Sequence, residues 1–522
     1  VSGNLSYRKN KFTLNFSAGF GYNEYRSNSY SYRQNYYTDS SNFFNTLGDN
    51  SSNNRRPNIR LSLDYDLNKR NSLNFTSQYN SNNSGSHNET EYSNLNRFYQ
   101  VYKLSNRVTG TNNESWNPNV TVTYTYKGKD PKEVLKLIAG INYNAYNNER
   151  DFYQQYLNPD ASPTGVDSTQ QQNTFSKNHS INLRLNYDRP LVKKVSLSAG
   201  ASYNRYNNHN VLNTEFMKKP DNVFVKNDLL SNDFFFHQTI AGLRASLRYE
   251  FMIDFYVNAG VQAEHTVTNF DIKNSVERYP NNYWSFLPFG TLMKKWQNDV
   301  SVTFSYKRTI QRPRLNELNP STDYADPYNT RSGNPYLQAY FADNFDLIFG
   351  KWNKKYNLNA SVGYNALQDI YSSIRTLLAD GKTFTTWQNI SGRKEYEGSI
   401  WGGYTFSKKA KANLSFGYTY NVYSAYDRTV RYFRNGGSFY STLNGSYQFS
   451  DLMNANASFT FNRFANPQGT IRNTLSMNIG LQRKFFKKNF IVTINVIDPF
   501  RQQQNKNFTY GSNFSLESSS TT

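Results

Sequence analysis

The chain contains no cysteine, which excludes disulfide bridges and thiolate metal centres but leaves the redox compartment open. It has no apolar run approaching about 18 residues, so no segment of it can cross a bilayer as a helix. No leader signature opens it, since Val1-Ser2-Gly3-Asn4-Leu5-Ser6-Tyr7 already reads as a strand. Hydrophobic residues make up only 37% of its 522 positions and mean hydropathy is −0.80. Those values alone would point to disorder. Catalytic signatures are missing as well: there is no G-x-S-x-G, no H-E-x-x-H and no phosphate-binding glycine loop followed by Lys-Ser/Thr.

The aromatic content argues against disorder. With 43 Tyr, 38 Phe and 6 Trp, aromatics form 17% of the chain, and a chain so rich in rings has something to bury them against. Their placement shows what. Phe12, Leu14, Phe16, Ala18, Phe20 and Tyr22 alternate with Thr13, Asn15, Ser17, Gly19 and Gly21. A period of two over that length is a β-strand with one apolar and one polar face. The same alternation returns at Ile59–Tyr65, Ile181–Tyr187, Ala241–Tyr249, Val300–Tyr306, Ala412–Tyr420 and Leu475–Leu481.

Charges inside these stretches keep to the polar phase: Arg60, Asp64, Arg184, Arg244, Arg248 and Asp299. A one-residue slip at 241–249 would carry Arg244 and Arg248 to the apolar side together. A basic side chain on a lipid face costs about 2–4 kcal/mol at the bilayer midplane, so the apolar side behaves as a lipid face. These six residues are the positions expected to face the interior.

A soluble sandwich, propeller or β-helix would also alternate, but the connections distinguish the two. Short basic ones, such as Arg8-Lys9-Asn10-Lys11, Asn68-Lys69-Arg70, Lys193-Lys194, Asn353-Lys354-Lys355, Ser407-Lys408-Lys409 and Lys487-Lys488, take turns with long stretches rich in Asn, Ser, Tyr and Gly at 26–56, 81–117, 147–177, 207–235 and 309–338. Short periplasmic turns alternating with long extracellular loops mark outer-membrane barrels. The chain therefore reads as one all-β domain over 1–522, a large antiparallel transmembrane β-barrel of about 20–22 strands. The strand polarity predicts one upward strand ahead of Val1. The loop-like Ser518–Thr522 predicts a last strand that is shortened or missing.

The sharpest motif is Arg312-Pro313-Arg314-Leu315-Asn316-Glu317-Leu318-Asn319-Pro320, with Asp323-Tyr324 and Gly333-Asn334-Pro335-Tyr336-Leu337 after it. It resembles the signature loop of the TonB-dependent receptor barrels of the Bacteroidetes outer-membrane β-barrel family. Trp387-Gln388-Asn389-Ile390-Ser391-Gly392 and Asn495-Val496-Ile497-Asp498-Pro499-Phe500 extend the resemblance. It implies the barrel of a receptor for active uptake of a scarce solute such as a siderophore, an oligosaccharide or a peptide. It also implies an upstream plug domain and a segment engaging the TonB complex, with outer-membrane lipid around the wall. Read from its residues alone, the 312–337 loop is turn-forming backbone, and it is expected to be a rigid loop packed on its neighbours rather than a ligand contact.

Other candidates are weaker. Of the five histidines His87, His179, His209, His237 and His265, His237 and His265 fall toward the outer ends of adjacent strands, where a metal pair is conceivable; a polar rim explains them as well. Tyr36, Tyr37, Phe43, Phe44, Tyr99, Tyr102, Phe152, Tyr153, Tyr156, Phe234, Phe235 and Phe236 cluster near the long loops. They could stack on a solute at the mouth, but an interfacial girdle suits those nearest the strand ends better. The net charge of +21 raises nucleic acid as a partner, yet it is spread round a rim rather than gathered beside stacking aromatics, so that reading is set aside. No catalytic, cofactor or metal site is assigned and no enzyme is expected. A passive porin-like channel and a surface-binding barrel remain as alternatives, with a hydrolase barrel as a rarer one.

Overall fold

A computed structural model describes residues 1–37, 40–273, 279–390, 392–424, 434–486, 490–500 and 503–521. Ser391, the Lys487–Lys488 turn and Thr522 therefore lie outside the described residues. Among those described, no helix is long and apolar enough to cross a membrane, and the alternating stretches are strands joined by antiparallel ladders.

The main sheet has 23 strand segments. Val223–Lys226 is a side arm paired with the end of its neighbour. Phe490–Ile497 and Gln504–Tyr510 follow one another along the same partner strand. Ser2–Lys9 and Phe514–Thr521 lie along the lower and upper parts of Phe12–Tyr36. The result is a closed antiparallel barrel of 20 staves. Ser518–Thr521, read as loop-like from sequence, are strand residues.

The phases fall as expected. Leu243, on the apolar side, is 68% exposed to the outside, a surface that only lipid would cover favourably. Arg60 pairs with Ser17, Arg184 with Ser202 and Arg244 with Gln262, all on the inward face. Arg244 and Arg248 lie over the rings of Phe289 and Tyr256 at 4.2 and 3.7 Å. Asp299 does not belong with them. It sits in the lower turn with a left-handed φ of 61° and an ion pair to Lys295, because a tight hairpin needs one residue in that conformation.

The segments read as loops differ more. The strands between Phe12 and Lys218 run for 24–30 residues, as in Val134–Leu157 and Pro163–Val192, far beyond the roughly 9–11 needed to cross a bilayer. Most of 26–56, 81–117, 147–177 and 207–235 is thus β-hairpin rising above the membrane, with turns at 96–100 and 158–162. Above the membrane both faces of a hairpin can meet water, so the apolar alternation fades from the sequence while the ladder continues.

Among the described residues, the connections at 312–339 and 369–390 leave the wall together. They build a second sheet in which Asn329–Arg331 runs parallel to Thr383–Asn389, itself antiparallel to Tyr371–Leu377.

Candidate functional site

The signature segment is legible residue by residue. Arg312 turns inward from its strand, donating Nη2 to Glu264 Oε2 at 2.6 Å and Nε to Thr266 Oγ1 at 3.1 Å. The Glu317 carboxylate then accepts the Arg314 backbone N–H at 2.8 Å and caps the single turn Leu315–Leu318. Its apolar side packs with Leu337 on Phe234, Phe236 and Phe270 of the wall. The returning chain passes very close: Gly333 N donates to Asn319 O at 2.7 Å, and a Cβ at Gly333 would stand 2.6–2.7 Å from backbone atoms of Asn319 and Glu317. Only glycine permits that approach.

The second resembling stretch meets the first. Asn334 Nδ2 donates to Trp387 O at 3.0 Å, Gln338 N donates to Asn389 Oδ1 at 2.9 Å, and Asn389 Nδ2 returns a bond to Gln338 O at 3.1 Å. Asn495–Phe500 lies elsewhere, at the break between Phe490–Ile497 and Gln504–Tyr510, where Asp498 has φ 44°.

Together the two connections form a cap across the mouth, holding the wall at many points. Arg33 donates to Asn329 Oδ1 (3.1 Å) and Gly381 O (2.6 Å). The Ser105 and Tyr328 hydroxyls are 3.2 Å apart. Arg107 donates to Tyr324 O at 3.5 Å, and Asn232 bonds Ser321. Arg375 and Gln468 exchange two bonds, at 2.8 and 2.9 Å. Apolar clusters join Tyr328 to Phe44 and Tyr92, Ile370 and Ile390 to Ala342, Leu367 and Tyr423, and Leu377 to Phe514 and Leu516.

This contact divides the loop aromatics by phase. Phe44, Phe152, Phe234 and Phe236 are buried on the inward face, the first, third and fourth against the cap and Phe152 under the Arg107 guanidinium. Phe43 is also buried, stacked between Tyr32 and Tyr99. Tyr36, Tyr37, Tyr99, Tyr102, Tyr153 and Phe235 are exposed. Anchoring the cap is a role that neither solute stacking nor a girdle anticipates. The histidines do not converge. His237 pairs with Asn269 and His265 with Ala241, about 13 Å apart along the ladder at its usual rise. Their rings hydrogen-bond Asn207 and Asn282. Among the described residues no group of three metal-capable side chains occurs.

The lumen wall is divided by charge. On the strands between Phe12 and Val192, the inward positions of the upper half carry Arg33, Arg56, Lys103, Arg107 and Arg150 and, among the described residues, no Asp or Glu. Carboxylates stand on the far wall, at Glu264, Asp346, Glu395 and Glu397. Beneath the cap there, Arg244, Glu264, Arg312, Asp346 and Glu397 line a cavity of about 860 Å³. The cap is keyed to this division: Arg312 meets Glu264, while Asp323 and Asp326 face the basic wall. Burial works to raise the Asp323 carboxyl, but the Ala325 N–H and the Arg331 and Arg150 guanidiniums outweigh it and hold the group below its usual 3.8. Burial pushes the cap phenol of Tyr371 up to about 12.

No sequence motif marks Arg33, Arg107 or Asp326. Parity would have found the arginines, since each continues the inward phase of its strand beyond the point where alternation fades.

A closed antiparallel barrel with apolar residues outward, a polar lumen and a folded-in cap is the architecture of an outer-membrane β-barrel. A profile of the outer membrane protein beta-barrel family matches residues 126–522, and the chain belongs to that family. No curated protein matches it. The fold resembles solved structures at low identity. The siderophore receptor PirA from Pseudomonas aeruginosa is 12% identical with a TM-score of 0.52, over 95% of this chain and 80% of that one. The ferric-catecholate import receptor Fiu from E. coli K12 is 8% identical with a TM-score of 0.57, over 100% and 81%. The copper transporter OprC is 10% identical with a TM-score of 0.54, over 96% and 80%.

Proposed function

We propose that this chain is the barrel of a TonB-dependent receptor for active uptake of a scarce solute. The observation that carries this reading is the cap. Residues 312–339 and 369–390 bridge the mouth from Arg33 on one side to Glu264 and Gln468 on others. A passive channel works by staying open, whereas a capped mouth over a wide polar lumen suits a receptor that admits solute only on an energised cycle. In this reading a plug domain fills the lumen from below and a TonB-engaging segment couples it to the inner membrane. The solved barrels of this shape are described as a siderophore receptor, a ferric-catecholate import receptor and a copper transporter, which supports uptake of a scarce nutrient and leaves its identity open.

The test uses the native protein in its own bacterium and in planar bilayers. We expect solute accumulation to collapse when TonB is deleted, and the purified protein to pass no steady ion current. Steady conductance with TonB-independent accumulation would make it a porin. Solute binding without accumulation would make it a surface-binding barrel.

A further inference from the structure

The basic half of the wall under the cap is unusual for a buried surface. Arg33 is 1% exposed and Arg107 6%, and buried guanidiniums are ordinarily paired with carboxylates. Neither has a wall carboxylate. Arg33 donates to an amide oxygen and a carbonyl, and Arg107 to Gln154 Oε1 at 3.3 Å and a carbonyl. The Nε of each is buried without a partner. Lys103 Nζ lies 5.8 Å from the Tyr328 ring, and Arg150 lies 3.8 Å from Asp323.

The negative charge that faces this wall comes from the cap. Asp323 is held by the Ala325 N–H at 2.9 Å and by Arg331 at 2.8 Å. Asp326 is fixed by the Tyr328 N–H at 2.9 Å and Asn329 Nδ2 at 2.8 Å. The charge of Asp326 acts on Arg33, Arg107 and Arg375 together. One loop thus presents two carboxylates to a surface with more cations than it can neutralise.

We propose that the wall formed by Arg33, Lys103, Arg107 and Arg150 binds a multiply anionic solute, and that Asp323 and Asp326 of the cap hold its place until it arrives. Solute entry and cap lifting are then one exchange of anions on the same guanidiniums. An arriving polyanion replaces the charge–charge contacts the cap gives up, and a neutral solute cannot. The proposal rests on the uptake reading above and names the class of solute.

The experiment uses the native protein purified in detergent, with sucrose octasulfate as the probe and sucrose as its neutral counterpart. Ser105, buried at 1% exposure beside Tyr328, is replaced by cysteine in a chain that has none of its own. We expect sucrose octasulfate, and not sucrose, to raise the maleimide labelling rate of S105C. Binding of sucrose octasulfate should weaken by about tenfold or more in R33Q and R107Q. It should tighten several-fold in D326N, where the competitor is gone. R26Q removes a charge from a well-exposed side chain outside the lumen, so it should bind as the parent does. Equal weakening in R26Q and R107Q, no tightening in D326N, or labelling that ignores the probe would each overturn the proposal. Because D326N is expected to gain binding, damaged folding cannot imitate that result. TonB-dependent accumulation is scored separately: if it persists while the probe fails, only the anion seat falls.

Discussion

Arg312 reaches across the Asn281–Lys295 strand to Glu264, placing Nη2 2.6 Å from Oε2 while its Nε holds Thr266. Both side chains are nearly buried, at 14% and 12% exposure. Removing one member of such a pair leaves the other uncompensated, at a cost of about 3 kcal/mol or more. Arg312→Gln and Glu264→Gln should each release the acidic end of the wall from the cap, seen as faster protease nicking at 312–339. Arg312→Lys should rescue little, because one ammonium cannot replace two diverging N–H donors. Full rescue by lysine would show that charge alone holds the cap.

Gly333→Ala tests the close passage of the two limbs of the signature loop. The added methyl meets backbone on both Glu317 and Asn319, which cannot swing aside as a side chain can. Overpacking of this kind costs about 1–3 kcal/mol. The barrel should still fold, since its ladders do not involve this position. The variant should therefore keep its resistance to unfolding in detergent while its cap becomes protease-sensitive.

Asp323 sets how the cap responds to acid. Its carboxyl lies below the usual 3.8 in the folded protein, so its stabilising effect is complete above that value and is lost as pH falls through the lower folded one. A dye attached at Y336C, on the exposed face of the cap, should show constant anisotropy from about pH 8 to pH 5 and loosen only below about pH 4. Asp323→Asn should give a looser cap at neutral pH. A midpoint near pH 6 in the parent would point to another group, such as a histidine.

Leu243 tests the lipid face. Leu243→Arg places a cation outward near mid-strand and should destabilise the barrel by about 2–4 kcal/mol, measured by urea unfolding in vesicles. The same residue introduced at Asn258, on the neighbouring strand and facing the lumen opposite Arg248, should cost less, since facing like charges on a solvated wall cost only about 1 kcal/mol or under. Equal costs would mean that the phases have been exchanged.

Some of this was legible in the sequence and some was not, for physical reasons that particular residues show. The barrel depends on a local signal: side chains alternate every residue, lipid punishes a charge on the wrong face, and basic turns mark one end. Arg60, Arg184, Arg244 and Arg248 were placed correctly by parity alone. Asp299 was not, because a turn residue can continue an alternation by chance. The upper hairpins read as loops in the sequence because water on both faces removes the period while leaving the ladder. That the 312–337 segment would be rigid and packed also followed from its Gly and Pro content. What it packs against came only from the tertiary structure: Arg33 is 296 residues from Asn329, and Arg375 is 93 from Gln468. Contacts at that separation leave no periodic trace in the chain. They arise because closing a barrel brings remote strands round a single mouth, where a cap from two loops can touch them all.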